Sequence, residues 1–161
     1  MACPGTFEPQ DAALGHESLS RNADADGYEI VIDTRGTLLW DEPDASERPL
    51  LIVTSERVSR DYITYLDGLH ISWIACGKAR VDLARACEIL ASAFGVERMA
   101  VVGGGHINTA FLAAGLLDEV SVLIGAGIDG LLMNQPLTQP HLESVKPFES
   151  GAVWLRYTVR N

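Results

Sequence analysis

The sequence predicts an α/β domain built on a largely parallel, mixed β-sheet. Three observations carry this expectation. Four short runs, Tyr28 to Asp33, Leu50 to Thr54, His70 to Ala75 and Met99 to Val102, are rich in apolar and β-branched residues, and Leu50 to Thr54 and Met99 to Val102 are so throughout instead of alternating. Continuous apolarity is the pattern of parallel strands covered on both faces. Between these runs lie segments whose apolar residues recur at helical spacing, the signature of a crossover connection. The chain then closes on two strand-like segments, His141 to Phe148 and Ala152 to Val159, joined at Glu149-Ser150-Gly151 as an antiparallel hairpin.

Taken in order, residues 1–27 are irregular, punctuated by Pro4, Gly5, Pro9 and Gly15, with a short helix expected from Pro9 to Leu19. The first strand, Tyr28 to Asp33, ends in the turn Thr34-Arg35-Gly36. Asp41 to Arg48 is acidic, contains Pro43 and reads as a surface loop. The strand Leu50 to Thr54 leads through Ser55-Glu56-Arg57 to a helix from Ser59 to Leu66, with the Ser59 hydroxyl as its N-cap and Gly68 as its stop. After the third strand, Cys76-Gly77-Lys78 turns out of the sheet. Asp82 then caps a helix with Leu83, Ala86, Cys87, Leu90, Ala93 and Phe94 along one stripe, ended by Gly95. The fourth run enters Gly103-Gly104-Gly105, and Ile107, Phe111, Leu112 and Ala114 continue as a helix stopped by Gly115. A fifth strand, Val120 to Ile124, leads into a loop with Gly125, Gly127, Gly130, Pro136 and Pro140. At 161 residues the expectation is one domain, 1–161, with a core over 28–130 and a loop and hairpin over 131–161.

Composition narrows the function. A formal net charge of −10 argues against nucleic acid or an anionic membrane as partner. The three cysteines, Cys3, Cys76 and Cys87, are odd in number and lack metal-ligand spacing, as expected of reduced thiols in a cytoplasmic protein. No apolar run approaches the roughly 18 residues of a membrane span, and the basic-then-apolar start of a signal peptide is missing. His16, His70, His106 and His141 are scattered, so no metal site is expected.

In open α/β sheets ligands bind beyond the carboxyl ends of the strands. Those ends are Asp33-Thr34-Arg35, Thr54-Ser55-Glu56-Arg57, Cys76-Gly77-Lys78, Gly103-Gly104-Gly105 and Gly125-Ala126-Gly127. Glycines at a strand-to-helix turn admit an anion to the free N–H groups and positive dipole end of the helix. The arrangement suits a nucleotide, with a phosphate at the glycines and Arg35, Arg57 or Lys78 near a further phosphate. The spacing is not that of a G-x-G-x-x-G fingerprint, and the residues alone specify no reaction.

The segments Val101-Val102-Gly103-Gly104-Gly105-His106-Ile107-Asn108, Phe111-Leu112-Ala113-Ala114-Gly115-Leu116-Leu117-Asp118-Glu119 and Ile128-Asp129-Gly130 resemble the reductase domain of riboflavin biosynthesis, a member of the dihydrofolate-reductase-like superfamily. Ile30 to Gly36 and Ile52 to Thr54 fit the same pattern, so the likeness covers roughly 28–130. It implies a three-layer dihydrofolate-reductase-like fold, NADPH as cofactor, and hydride transfer to a pyrimidine or pteridine-like heterocycle. By position it implies that Gly103, Gly104, Gly105, His106, Ile107 and Asn108 hold the pyrophosphate. Thr34, Arg35, Thr54 and Lys78 would lie along the adenosine and its 2′-phosphate. It names no catalytic acid here. It further implies a cytoplasmic homodimer.

The family's opening strand with a Ser-x-Asp-Gly turn has no counterpart before Tyr28, so an N-terminally truncated member is expected, with Pro4-Gly5-Thr6 as a remnant of a Gly-Arg-x-Thr loop. Val102 replaces a glutamate common just before the glycines, and Gly125-Ala126-Gly127 stands where the family often has proline. These departures leave a second reading open, a catalytically degenerate member serving as a nucleotide-binding or structural subunit.

Overall fold

The computed structural model describes residues 2–41, 48–124 and 141–158. The chain forms two compact units, Met1–Arg98 and Met99–Asn161.

The first unit holds strands β1 (Ala2–Cys3), β2 (Ser18–Ser20), β3 (Glu29–Ile32), β4 (Leu39–Trp40), β5 (Leu50–Thr54) and β6 (Ser72–Ala75), with helices α1 (Arg60–Gly68) and α2 (Leu83–Phe94). Its main sheet runs in the order β2-β6-β5-β3. β3, β5 and β6 are mutually parallel, with Val31 opposite Ile52 and Ile52 opposite Trp73. β2 lies antiparallel on β6. The central strand explains why its sequence is apolar without alternation, because all five residues of β5 are buried. Leu50 and Ile52 join the cluster of Val58, Tyr62, Ile63, Leu66, Ile71 and Trp73 on the α1 side. Leu51 and Val53, at 0% and 1% exposure, point to the other face and are covered equally well.

The helices end as their sequences dictate, with one exception. The Asp82 side chain accepts the Arg85 N–H at 3.0 Å, and Gly95 closes α2 in the left-handed conformation. Ser59 occupies the N-cap of α1, but its side chain makes no cap hydrogen bond. The helix ends at Gly68, but that glycine is its last helical residue and not the left-handed position. The reversal falls two residues later, where Ile71 N–H returns to Leu66 O at 3.0 Å and His70 N–H to Asp67 O at 3.0 Å. His70 therefore sits at the position that favours glycine, with φ of 55°. His70 is exposed, so His70→Gly is expected to raise unfolding stability by about 0.5–1 kcal/mol, read by denaturant titration.

The helix expected from Pro9 to Leu19 does not form. Instead this segment spends its backbone groups on the rest of the unit: Leu14 N–H on Val58 O at 2.7 Å, Gly15 N–H on Glu56 O at 2.8 Å, and Ala12 O accepting Arg60 N–H at 3.1 Å. Gly15, at φ of 81°, breaks any helical run, and β2 then joins the sheet edge. The Asp41 to Arg48 loop lies mostly outside the described residues.

The second unit holds α3 (Gly105–Ala113) and strands β7 (Glu119–Ile124), β8 (His141–Pro147) and β9 (Val153–Thr158). The closing hairpin forms as expected, with Gly151 at φ of 83° in its turn. It pairs with β7 in an antiparallel sheet of order β7-β9-β8, so the fifth expected strand lies antiparallel to β9. The fourth is not a strand. Met99 to Val102 has extended or irregular backbone with no pairing partner among the described residues, and Val102 is 92% exposed. Apolarity alone does not make a strand; a neighbouring ladder must take its N–H and C=O groups. The loop from Gly125 to Pro140 lies outside the described residues.

Candidate functional site

Two places in the fold can accept a charged ligand, one in each unit. In the first, the carboxyl ends of the parallel strands bring three of the expected turns side by side. Ser55 N–H donates to Thr34 O at 3.2 Å, Cys76 N–H to Thr54 O at 3.0 Å, and Glu56 N–H to Gly77 O at 2.9 Å. These bonds lace the turns after β3, β5 and β6 into one edge. Arg35, Arg57, Lys78 and Arg80 all extend from it into solvent. Among the described residues the ion pairs engage Arg21, Arg85 and Arg156, and Arg35, Arg57, Lys78 and Arg80 have no carboxylate partner there. An otherwise acidic chain thus presents a local positive rim, which raises the concentration of an anionic ligand there.

The turn bearing Arg35 is set from below by Asp33, which is buried. Its carboxylate accepts Gly36 N–H at 3.2 Å, Thr37 N–H at 2.7 Å and Leu38 N–H at 2.8 Å. The Tyr62 hydroxyl reaches Asp33 Oδ2 at 3.1 Å and Leu38 O at 3.0 Å, while accepting the Trp40 indole N–H at 3.0 Å. Burial holds the Tyr62 phenol far above its usual range, so it acts as a neutral donor. Gly36 is required here: its φ is +67°, and a Cβ would stand 2.5 Å from Tyr62 Cδ1. Gly77 is equally constrained, since a Cβ would lie 2.2 Å from Arg80 O. Cys76 lies beneath this edge, with burial pushing its thiol up to about 11; it is an inert structural cysteine.

The sequence-expected residues therefore separate into exposed and buried roles. Arg35 and Lys78 are exposed and Thr34 is half-buried. Thr54 is fully buried, and its hydroxyl bonds Thr34 O at 3.3 Å, so it supports the turn from inside. Ser55 and Asp33 organise the edge without being among the residues that the motifs point to. Their signal in the sequence is weak, because a polar residue ending an apolar strand is common whether or not it organises a turn.

In the second unit, Gly104 is the N-cap of α3 with φ of −63° and ψ of −178°. Its carbonyl takes the N–H groups of Ile107 at 3.1 Å and Asn108 at 3.2 Å. The N–H groups of Gly105 and His106 have no partner among the described residues, and no acidic residue lies in the first turn. Gly103 and Gly104 are exposed. A Cβ at Gly103 would fall 2.2 Å from Ile107 Cγ2, so that glycine is needed for the turn to close on its own helix; Gly104 faces open space. Free donors, a positive helix end and uncovered backbone form a cradle suited to a phosphate. The helix ends as firmly as it begins, with Leu116 N–H on Phe111 O at 3.0 Å and Gly115 N–H on Leu112 O at 3.0 Å around left-handed Gly115.

Among the described residues no cluster of His, Cys, Asp or Glu could hold a metal ion. No helix is long and apolar enough to cross a membrane.

Comparison with known proteins places this architecture. The chain has the fold of a pyrimidine reductase-like protein from Corynebacterium diphtheriae, with a TM-score of 0.66 and 18% identity over 82% of this chain and 60% of that one. A structure of RibD from Acinetobacter baumannii matches with a TM-score of 0.61 and 16% identity, over 81% of this chain and 37% of that one. The chain thus spans less than two thirds of either protein. The model of the RibD C-terminal domain family matches residues 1–153, reaching well beyond the 28–130 stretch that the motifs suggest at both ends. With nearly its whole length matched, the chain belongs to the RibD C-terminal domain family.

Proposed function

We propose that this protein is an NADPH-dependent reductase of a pyrimidine or pteridine-like heterocycle. The observation that carries the reading is the family match over residues 1–153. The solved proteins of the same fold include one described as pyrimidine reductase-like.

Two features of this chain support NADPH as the cofactor. In the second unit, the turn Gly103-Gly104-Gly105 with the backbone of His106, Ile107 and Asn108 offers free donors to a pyrophosphate. In the first unit, Thr34, Arg35, Thr54 and Lys78 belong to the cationic edge, with exposed Arg35 and Lys78 reading the 2′-phosphate. NADPH supplies the hydride, and the protein supplies position and electrostatics. We further propose a cytoplasmic homodimer, for which light scattering of the purified chain gives the mass directly.

Titration with NADPH, followed by quenching of tryptophan fluorescence, is expected to saturate in the micromolar range, with weaker binding of NADH. Oxidation of bound NADPH by a ribosylaminopyrimidine or a pterin would establish the reaction. Binding without turnover for any of these would favour the non-catalytic, nucleotide-binding reading, and no binding at millimolar cofactor would end both.

A further inference from the structure

The cationic edge of the first unit has two buried hydroxyls beneath it, Thr54 and Ser55, and that of Ser55 also reaches a second turn. Ser55, 0% exposed, donates from Oγ to Thr34 O at 2.7 Å and accepts the Arg57 N–H at 3.3 Å. Its own N–H adds a second bond to Thr34 O at 3.2 Å, and its carbonyl takes the Val58 N–H at 3.0 Å. Thr34 immediately precedes Arg35, and the Arg57 amide is itself a partner of this hydroxyl. Two solvent-facing guanidinium groups on different turns are therefore hung from one interior atom.

We propose that Ser55 is a positioning residue: its hydroxyl fixes the turns carrying Arg35 and Arg57 relative to each other, so that together they read the 2′-phosphate of the nucleotide. The inference rests on the nucleotide-binding reading above; it adds Ser55 and makes Arg57 act with Arg35 as a pair. Ser55 is sealed from solvent and touches no ligand. Its influence passes through backbone, by keeping the Thr34 carbonyl turned inward. Guanidinium recognition of phosphate depends on direction, because the fork pairs with two oxygens only when its stem is held in register. Without the hydroxyl, the Thr34 carbonyl keeps its weaker bonds from Ser55 N–H and Thr54 Oγ1, so the strand persists while the turn loosens.

The test compares NADPH and NADH affinities in the wild-type chain, Ser55→Ala and Ser55→Thr, with thermal unfolding measured on each. Ser55→Ala is expected to weaken NADPH about tenfold while NADH changes less than about twofold, and Ser55→Thr to restore the wild-type ratio. A purely structural serine would lower unfolding temperature and both affinities together, leaving the ratio unmoved. Should Ser55→Ala fail to fold, Arg57→Gln, a surface change, must reproduce the same loss of NADPH preference. An unchanged NADPH:NADH ratio in Ser55→Ala or Arg57→Gln overturns the inference while leaving the cofactor reading intact. Failure of the wild-type chain to bind either nucleotide overturns both.

Discussion

Gly104→Asp is expected to abolish high-affinity NADPH binding while leaving the protein folded. The two halves of this expectation come from the same turn. A side chain at Gly104 meets nothing within 4 Å, and φ of −63° is ordinary for any residue. Aspartate is moreover a favoured N-cap, able to accept a first-turn N–H of α3, so stability should hold or rise by about 0.5–1 kcal/mol. That carboxylate would take the donors a pyrophosphate needs and place a negative charge beside it. Loss of the helix-end interaction plus like-charge repulsion amounts to about 2–3 kcal/mol, or on the order of a hundredfold in Kd. Gly104→Asn, of the same shape without the charge, should lose markedly less. Isothermal titration of both variants beside the wild type gives the comparison. Wild-type affinity in Gly104→Asp would show that the pyrophosphate does not sit at this turn.

Asp33→Ala is expected to cost the first unit as much stability as truncating a large core side chain. The carboxylate gathers three backbone N–H groups and the Tyr62 hydroxyl beneath a turn that is itself packed on the Tyr62 ring. Removing it orphans several donors at once in a place water reaches poorly, a cost of about 3–5 kcal/mol. For a chain of this size each kilocalorie moves Tm by roughly 2–4 °C, so a fall on the order of 10 °C is expected by circular dichroism. Asp33→Asn, which keeps one acceptor oxygen, should fall between the two. The Trp40 indole donates to the same Tyr62 hydroxyl, so its fluorescence should shift in Asp33→Ala even below the transition. A fall of less than about 1 kcal/mol would show that the turn is held by its flanking strands instead.

Both variants act on turns at the ends of apolar runs, and those runs differ in how legible they were. Leu50 to Thr54 became a strand with the expected limits because it lies between two parallel neighbours that bury both its faces. The helix from Leu83 was readable from Asp82 and Gly95, since capping is chemistry confined to a few adjacent residues. The same local logic failed at Ser59 and Gly68. There the chain reverses at His70, where the left-handed position is taken by a side-chain-bearing residue and not by the nearby glycine. Pro9 to Leu19 is paired across the fold where its own sequence suggested a helix, and Met99 to Val102 has strand composition without a strand partner among the described residues.

The sequence by itself determined the α/β class, the boundaries of its best-capped elements and the glycine turn at the start of α3, because each depends on residues close together in the chain. Motif order was enough to suggest the family. Tertiary structure decided which polar residues act together. Asp33 meets Tyr62 from a different element, and Ser55 meets Thr34 across two parallel strands. It also sorted Thr54 from Arg35, one buried as support and the other exposed as a cation. Spacing along the chain carries no such information, since burial and hydrogen-bond partnership at a strand end are fixed by the neighbouring strand and by the helix beneath it.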